Sequence, residues 1–232
     1  MERHAEPAAG APLTLGSGEA AALREASRPL TFPERAHLDL RFRSAPWRRV
    51  VEAFEPDGSL VDFGCGPGLL AHLLLRAGFR GTYLGLDPDA RKLDRARRWL
   101  PESPARLFRA GTVDAAPQRA FSQAALIDVL YLVPPPERPE FLARAARSLT
   151  PGGLFVALTS GGGPRWKRRL DTAQELLAVG IGITRGGGVA ACDGAEIAQL
   201  LAAAGLTGAT VVDVGRGFLH GFELVSARRP RT

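Results

Sequence analysis

The densest run of residues able to do chemistry is VDFGCGPG at 61–68. Gly64, Gly66 and Gly68 remove three side chains there, so backbone N–H groups and the start of the next helix can approach a polar ligand closely. Asp62 stands two residues before the first glycine. A carboxylate at that point repels a pyrophosphate and attracts an ammonium or sulfonium, so the ligand is expected to carry positive charge. Asp87 closes a second apolar run, YLGLD. At the end of a neighbouring strand it is placed to accept both hydroxyls of a ribose. Its plainer reading is a helix N-cap ahead of Pro88, a role worth about 1 kcal/mol.

The elements that must position these groups alternate in type. After the turn Pro56-Asp57-Gly58, strand SLVDF leads to helix PGLLAHLLLRAG, then strand TYLGL and helix PDARKLDRARRWL. Strands RLFRAG and QAALIDVL follow, then a Pro-rich turn, helix ERPEFLARAARSL and strand LFVALT. Such alternation predicts an α/β domain with a parallel sheet covered on both faces. In the last third, helix GAEIAQLLAAAG precedes GATVVDV and HGFELVSA, which suit an antiparallel hairpin at a sheet edge. Upstream, residues 1–28 read as a flexible leader with one short helix near Glu19 to Ala26. Residues 29–56 read as two short helices, the second started by Pro46.

Composition sets the bounds. The 232 residues are 45% apolar and 23% charged, which suits one domain, 29–232, behind the leader. Of the 30 basic residues only Lys92 and Lys167 are lysine, and a net charge of +6 is weak evidence for a nucleic-acid partner. Cys65 and Cys192 make neither a disulfide framework nor a zinc site, and no metal is expected. The longest apolar run is too short to span a membrane, and the N-terminal stretch breaks its apolar residues with Glu, Pro and Gly; a cytoplasmic protein is expected.

Taken in order from Asp62 to Phe155, four pieces together resemble a class I S-adenosylmethionine-dependent methyltransferase of the Rossmann-like kind: the Asp-x-Gly-x-Gly-x-Gly loop, Asp87, the segment ALIDVLYLVPP and the later LTPGGLF. The resemblance implies a doubly wound sheet of seven strands, the last antiparallel, with helices on both faces. It further implies that Gly64, Cys65, Gly66 and Gly68 line the methionine part of the cofactor, with Asp62 near its amino group and Asp87 on its ribose. Leu86 and Pro88 would flank sugar and base. Where many relatives carry Gly-Asp-Ala for the adenine, this chain has Gly111-Thr112-Val113, leaving Thr112, Asp114 and the Val113 amide as contacts. Asp128 would lie where cofactor and acceptor meet.

For a catalytic base the candidates are Tyr131, His37 and His220. His72 reads as a satisfied helix residue, and Cys65 as a cofactor neighbour rather than a nucleophile. A nicotinamide dehydrogenase is disfavoured: counting from Gly64, Leu69 stands where the third glycine of the dinucleotide fingerprint belongs. Nucleic-acid base methylation is disfavoured too, because Asp128-Val129-Leu130-Tyr131 replaces the Asn- or Asp-Pro-Pro-aromatic tetrad. The expected activity is methyl transfer to a small-molecule or lipid-like acceptor, with an RNA-directed enzyme and a non-catalytic cofactor-binding protein as alternatives. Oligomeric state stays open. A cap insertion is expected at 160–192; its head, with Trp166, Lys167, Arg168 and Arg169, would face Arg41, Phe42, Arg43 and Trp47 and admit an anionic or amphipathic substrate.

Overall fold

A computed structural model of the chain describes residues 11–160 and 191–231. The expected cap, including Trp166 to Arg169, lies outside the described residues apart from its two flanks.

Seven strands form one sheet: β1 (Ser59–Phe63), β2 (Thr82–Asp87), β3 (Arg106–Ala110), β4 (Phe121–Ile127), β5 (Leu149–Thr159), β6 (Thr207–Asp213) and β7 (Glu223–Arg228). Their spatial order is β3-β2-β1-β4-β5-β7-β6. The first five run parallel, and β7 is antiparallel to both β5 and β6. The chain reverses its winding between β1 and β4, and in such sheets the crevice outside the carboxyl ends of those strands is where ligands bind.

Alternation along the strands builds two cores. Leu60 of β1, Tyr83 of β2 and Ile127 of β4 face one side, where α1 (Glu19–Ala26), α2 (Phe32–Ser44), α3 (Trp47–Glu52), α4 (Leu69–Arg76) and α5 (Ala90–Trp99) pack through Leu23, Leu38, Val50, Leu73 and Leu93. Val61, Phe63, Ala124 and Phe155 face the other side against α6 (Arg138–Arg147) and α7 (Gly194–Ala203). The near-continuous apolar runs of the inner strands follow from burial on both faces.

The reading of 1–28 as a flexible leader is corrected for its described part. Leu13, Leu15 and Leu23 are buried in the first core, and buried Glu19 bonds Arg76 of α4 at 3.0 Å. Isolated leucines in an Ala- and Pro-rich stretch show no period, so their burial is not legible from the sequence. Pro46 occupies the N-cap of α3.

Candidate functional site

The glycine loop leaves β1 under backbone control. Gly64 and Cys65 donate their N–H groups to the Leu86 carbonyl at 2.7 and 3.0 Å, which locks the loop to the end of β2. Gly64 has φ 77, and a Cβ there would stand 2.5 Å from Val129 Cγ2. Glycine is required there on both counts.

Asp87 closes the same contact from the other strand. Its Oδ2 accepts the Gly66 N–H at 3.0 Å and its Oδ1 accepts the Asp89 N–H at 2.8 Å. Each carboxylate oxygen retains a second lone pair for a ligand hydroxyl. Lys92 Nζ lies 4.0 Å from Oδ2. The capping reading is corrected: the N-cap of α5 is Asp89, whose side chain accepts from the Arg91 N–H.

Asp62 is buried at 2% exposure. Its Oδ2 accepts the Tyr83 hydroxyl at 2.6 Å, while Oδ1 has no hydrogen-bond partner among the described residues. Burial, with a smaller push from Asp87, raises this carboxyl to about 7 against the pull of the Tyr83 hydrogen bond. Burial also pushes the Tyr83 hydroxyl and the Cys65 thiol well up, so both keep their protons at neutral pH. The neutral phenol therefore remains a donor to Asp62, and Cys65 carries a neutral thiol.

The glycine loop, Asp62, Cys65 and Asp87 line one cavity of about 320 Å³, a volume in the range of small-molecule sites, with Tyr83 outside the lining. Among the expected cofactor residues, Asp62, Gly64, Cys65, Gly66, Leu86, Asp87, Pro88, Thr112, Val113 and Asp128 line it. Two do not. Gly68 is the left-handed N-cap of α4, and a Cβ there would meet Leu100 and Ala96 within 3.3 Å; this glycine serves helix packing. Asp114 turns away to Arg144, with both carboxylate oxygens 2.9 Å from one guanidinium nitrogen.

Of the catalytic candidates, His37 and Tyr131 line the cavity and His220 does not. His220 packs edge-on against Phe222 with ring centres 6.3 Å apart, in the β6–β7 connection. His37 is exposed at the mouth of the cavity, and partial desolvation first, then the nearby charges of Arg41, Arg95 and Lys92, lowers its affinity for a proton. Neutral imidazole is the form that can accept one. His72 sits behind the loop against Trp99, with ring centres 5.0 Å apart. Its Nε2 is buried without a partner among the described residues, which corrects its reading as satisfied, and burial lowers it to about 4. Trp99 donates to the Pro67 carbonyl at 2.7 Å and so supports the loop from below.

Helix α2 lies across the crevice, as its tethers show. Glu34 near its start bonds Arg95 and Arg98 of α5, and Arg41 near its end bonds Asp128 at 3.3 Å. Asp128 follows β4 in a left-handed conformation, φ 57, uncommon for a residue with a side chain and often found at functional positions. Arg41 and Trp47 line the cavity, whereas Arg43 pairs with Asp39 at 2.6 Å and Phe42 lines a different cavity. Lys92 and Phe141 line the site and were not singled out in the sequence, because each sits on a helix whose pattern shows only a solvated or half-apolar face.

A seven-stranded sheet with one antiparallel strand, a glycine loop after β1 and an acidic residue ending β2 define the class I methyltransferase architecture. A family model described as methyltransferase domain matches residues 37–211, and the chain belongs to that family, the S-adenosylmethionine-dependent methyltransferases. A ubiquinone biosynthesis O-methyltransferase from Methylobacterium nodulans is 33% identical over 104 residues, a stretch covering 44% of this chain and 40% of that one. A methyltransferase structure from Thermotoga maritima superposes with TM-score 0.64 at 18% identity, over 89% of this chain and 99% of the other. Human N-acetylserotonin methyltransferase in complex with S-adenosylmethionine superposes with TM-score 0.62 at 18% identity, over 95% and 61%. At such identities the structures share the fold.

Proposed function

We propose that this chain transfers the methyl group of S-adenosylmethionine to a small-molecule acceptor. The observation that carries the reading is Asp62: a buried carboxylate with one oxygen held by Tyr83 and the other without a partner among the described residues, in a cavity shared with the glycine loop and Asp87. An ammonium group satisfies that orphaned oxygen, and a buried acceptor without a donor is otherwise costly. In this reading Gly64, Cys65 and Gly66 border the methionine part, Asp87 takes the ribose, and Leu86, Pro88, Thr112 and Val113 border sugar and base.

The cofactor supplies an activated methyl group on a sulfonium, so the protein's task is to hold an acceptor in line with it and to exclude water. Asp128, Tyr131 and Trp47 line the same cavity and are the walls assigned to the acceptor in this reading. His37, held neutral, is the base for an acceptor hydroxyl. The related ubiquinone O-methyltransferase and the human N-acetylserotonin enzyme bear names with small acceptors, which supports that class over nucleic acid.

The test is calorimetry with S-adenosylmethionine and its demethylated product, followed by isotope transfer to hydroxylated small molecules and, separately, to RNA. Micromolar binding, roughly −8 kcal/mol, with transfer only to small molecules is expected. Absence of cofactor binding overturns the whole reading, and transfer to RNA overturns the acceptor class.

A further inference from the structure

A second, larger cavity of about 640 Å³ lies beside the first, between the N-terminal segment and the β6–β7 connection. Trp47 lines both. Its indole is 5% exposed and its Nε1 donates to the Arg41 carbonyl at 2.8 Å, so the shared wall is fixed in place. The β6–β7 connection lies at the same end of the sheet as the site, because Asp213 pairs with Glu223 and Glu223 with Thr159 at the end of β5.

Leu15, Phe42, Val214 and Phe218 give the cavity apolar walls, and its rim is charged. The charges there do not balance locally. Glu19 is engaged by Arg76 at 3.0 Å and Arg49 by Glu52 at 3.3 Å, while Asp213 accepts the Gly215 N–H at 2.8 Å and keeps its negative charge, so three arginines share the lining with two carboxylates. Arg48 and Arg216, by contrast, make no ion pair among the described residues and border the same space from two different elements. Two exposed guanidinium groups, contributed to the lining of an apolar hollow by two different elements, suit a planar anion carried on an apolar body.

We propose that the second cavity is the subsite for the non-reacting end of the acceptor, and that the acceptor is an organic anion: an apolar body bearing a carboxylate, sulfate or phosphate group held between Arg48 and Arg216. Trp47 then separates the recognised end from the reacting end. The proposal rests on the methyltransferase reading for the identity of the first cavity, and on the second cavity's own walls for the charge of the ligand.

The probes are 6-hydroxy-2-naphthoate and its neutral amide, whose fluorescence anisotropy is followed as each is titrated with the full chain saturated with S-adenosylhomocysteine. The acid is expected to bind at least tenfold more tightly than the amide. In the double variant Arg48→Gln/Arg216→Gln that preference should fall to within twofold, while binding of the amide and of S-adenosylhomocysteine stays as in the wild type. Folding of the variant is read from its S-adenosylhomocysteine affinity. Equal binding of acid and amide, a preference that survives the double substitution, or no binding of either probe at millimolar concentration overturns the proposal. A chain that fails to bind S-adenosylhomocysteine but still prefers the acid instead overturns the cofactor reading and leaves the anion subsite standing.

Discussion

The Tyr83 hydroxyl lies 2.6 Å from Asp62 Oδ2, joining β2 to β1 beneath the glycine loop. The pair faces the side of the sheet covered by α4, and Gly85, opposite Asp62 in the register, leaves room there for the Cys65 side chain. A Cβ at Gly85 would come within 2.8 Å of Cys65 Sγ. One small and one polar residue in strand TYLGL therefore shape the floor of the site.

The first prediction concerns pH. Burial raises Asp62 from 3.8 to about 7, so the folded ligand-free protein holds a proton that the unfolded chain releases. The stabilisation is fully present below 3.8 and is lost as pH rises toward 7, with a slope of up to about 1.4 kcal/mol per pH unit. Asp62→Asn should flatten that part of the profile relative to wild type in urea melts. The groups facing Asp62 are Tyr83, Asp87 and Cys65; removing the Tyr83 hydrogen bond in Tyr83→Phe should move the window upward. S-adenosylmethionine affinity should rise with pH through the same window, and 5′-methylthioadenosine, which lacks the ammonium, should show no such rise.

Asp87 and Asp89 separate recognition from capping. Asp87→Ala should cost about 1.5–3 kcal/mol of cofactor affinity through lost charge-assisted hydrogen bonds. Asp89→Ala should cost about 1 kcal/mol of stability as the cap of α5 and leave cofactor affinity unchanged. Calorimetry and denaturant melts on both variants check the pair; equal affinity losses would mean that the ribose assignment is wrong.

Two glycines with similar backbone angles should respond differently. Gly78 has φ 94 and open space around its missing Cβ, so Gly78→Ala should cost only about 1–2 kcal/mol of backbone strain. Gly64→Ala adds a collision with Val129 at 2.5 Å and should also abolish detectable cofactor binding. Retained binding in folded Gly64→Ala would exclude close backbone approach at this point.

Glu34 ties α2 to α5, and its carboxyl is held down to about 2, first by the Thr31 backbone N–H and then by Arg98. A depressed carboxylate stabilises the fold above its ordinary value of 4.5 and loses that contribution as pH falls toward 2. Urea melts followed by circular dichroism at a series of pH values should therefore show wild type losing more stability between pH 4.5 and 2 than Glu34→Gln, whose acid limb is shallower. An unchanged limb would mean that the tie to Arg95 and Arg98 carries no stability.

Much of the architecture was legible because it depends on local pattern. Alternating strands and helices, the side-chain-free loop of Gly64 and Gly66, Asp62 and Asp87 at strand ends, and the closing antiparallel hairpin all follow from period and residue type within short windows. The positions of Gly68 and Asp114 outside the cavity lining were not legible for the opposite reason. The sequence shows a glycine and a carboxylate near the site, but only the packing of α4 against α5 and the reach of Arg144 from α6 decide that neither faces it.

The sequence by itself determined the order of elements, the family and the residues at the ends of β1 and β2, since these rest on local backbone chemistry. Tertiary structure alone decided that Tyr83 meets Asp62, that Arg41 crosses to Asp128 from α2, and that Trp47 stands between two cavities. Each of those contacts joins residues from separate elements, and the burial that raises Asp62 exists only once the sheet and its covering helices have closed over it.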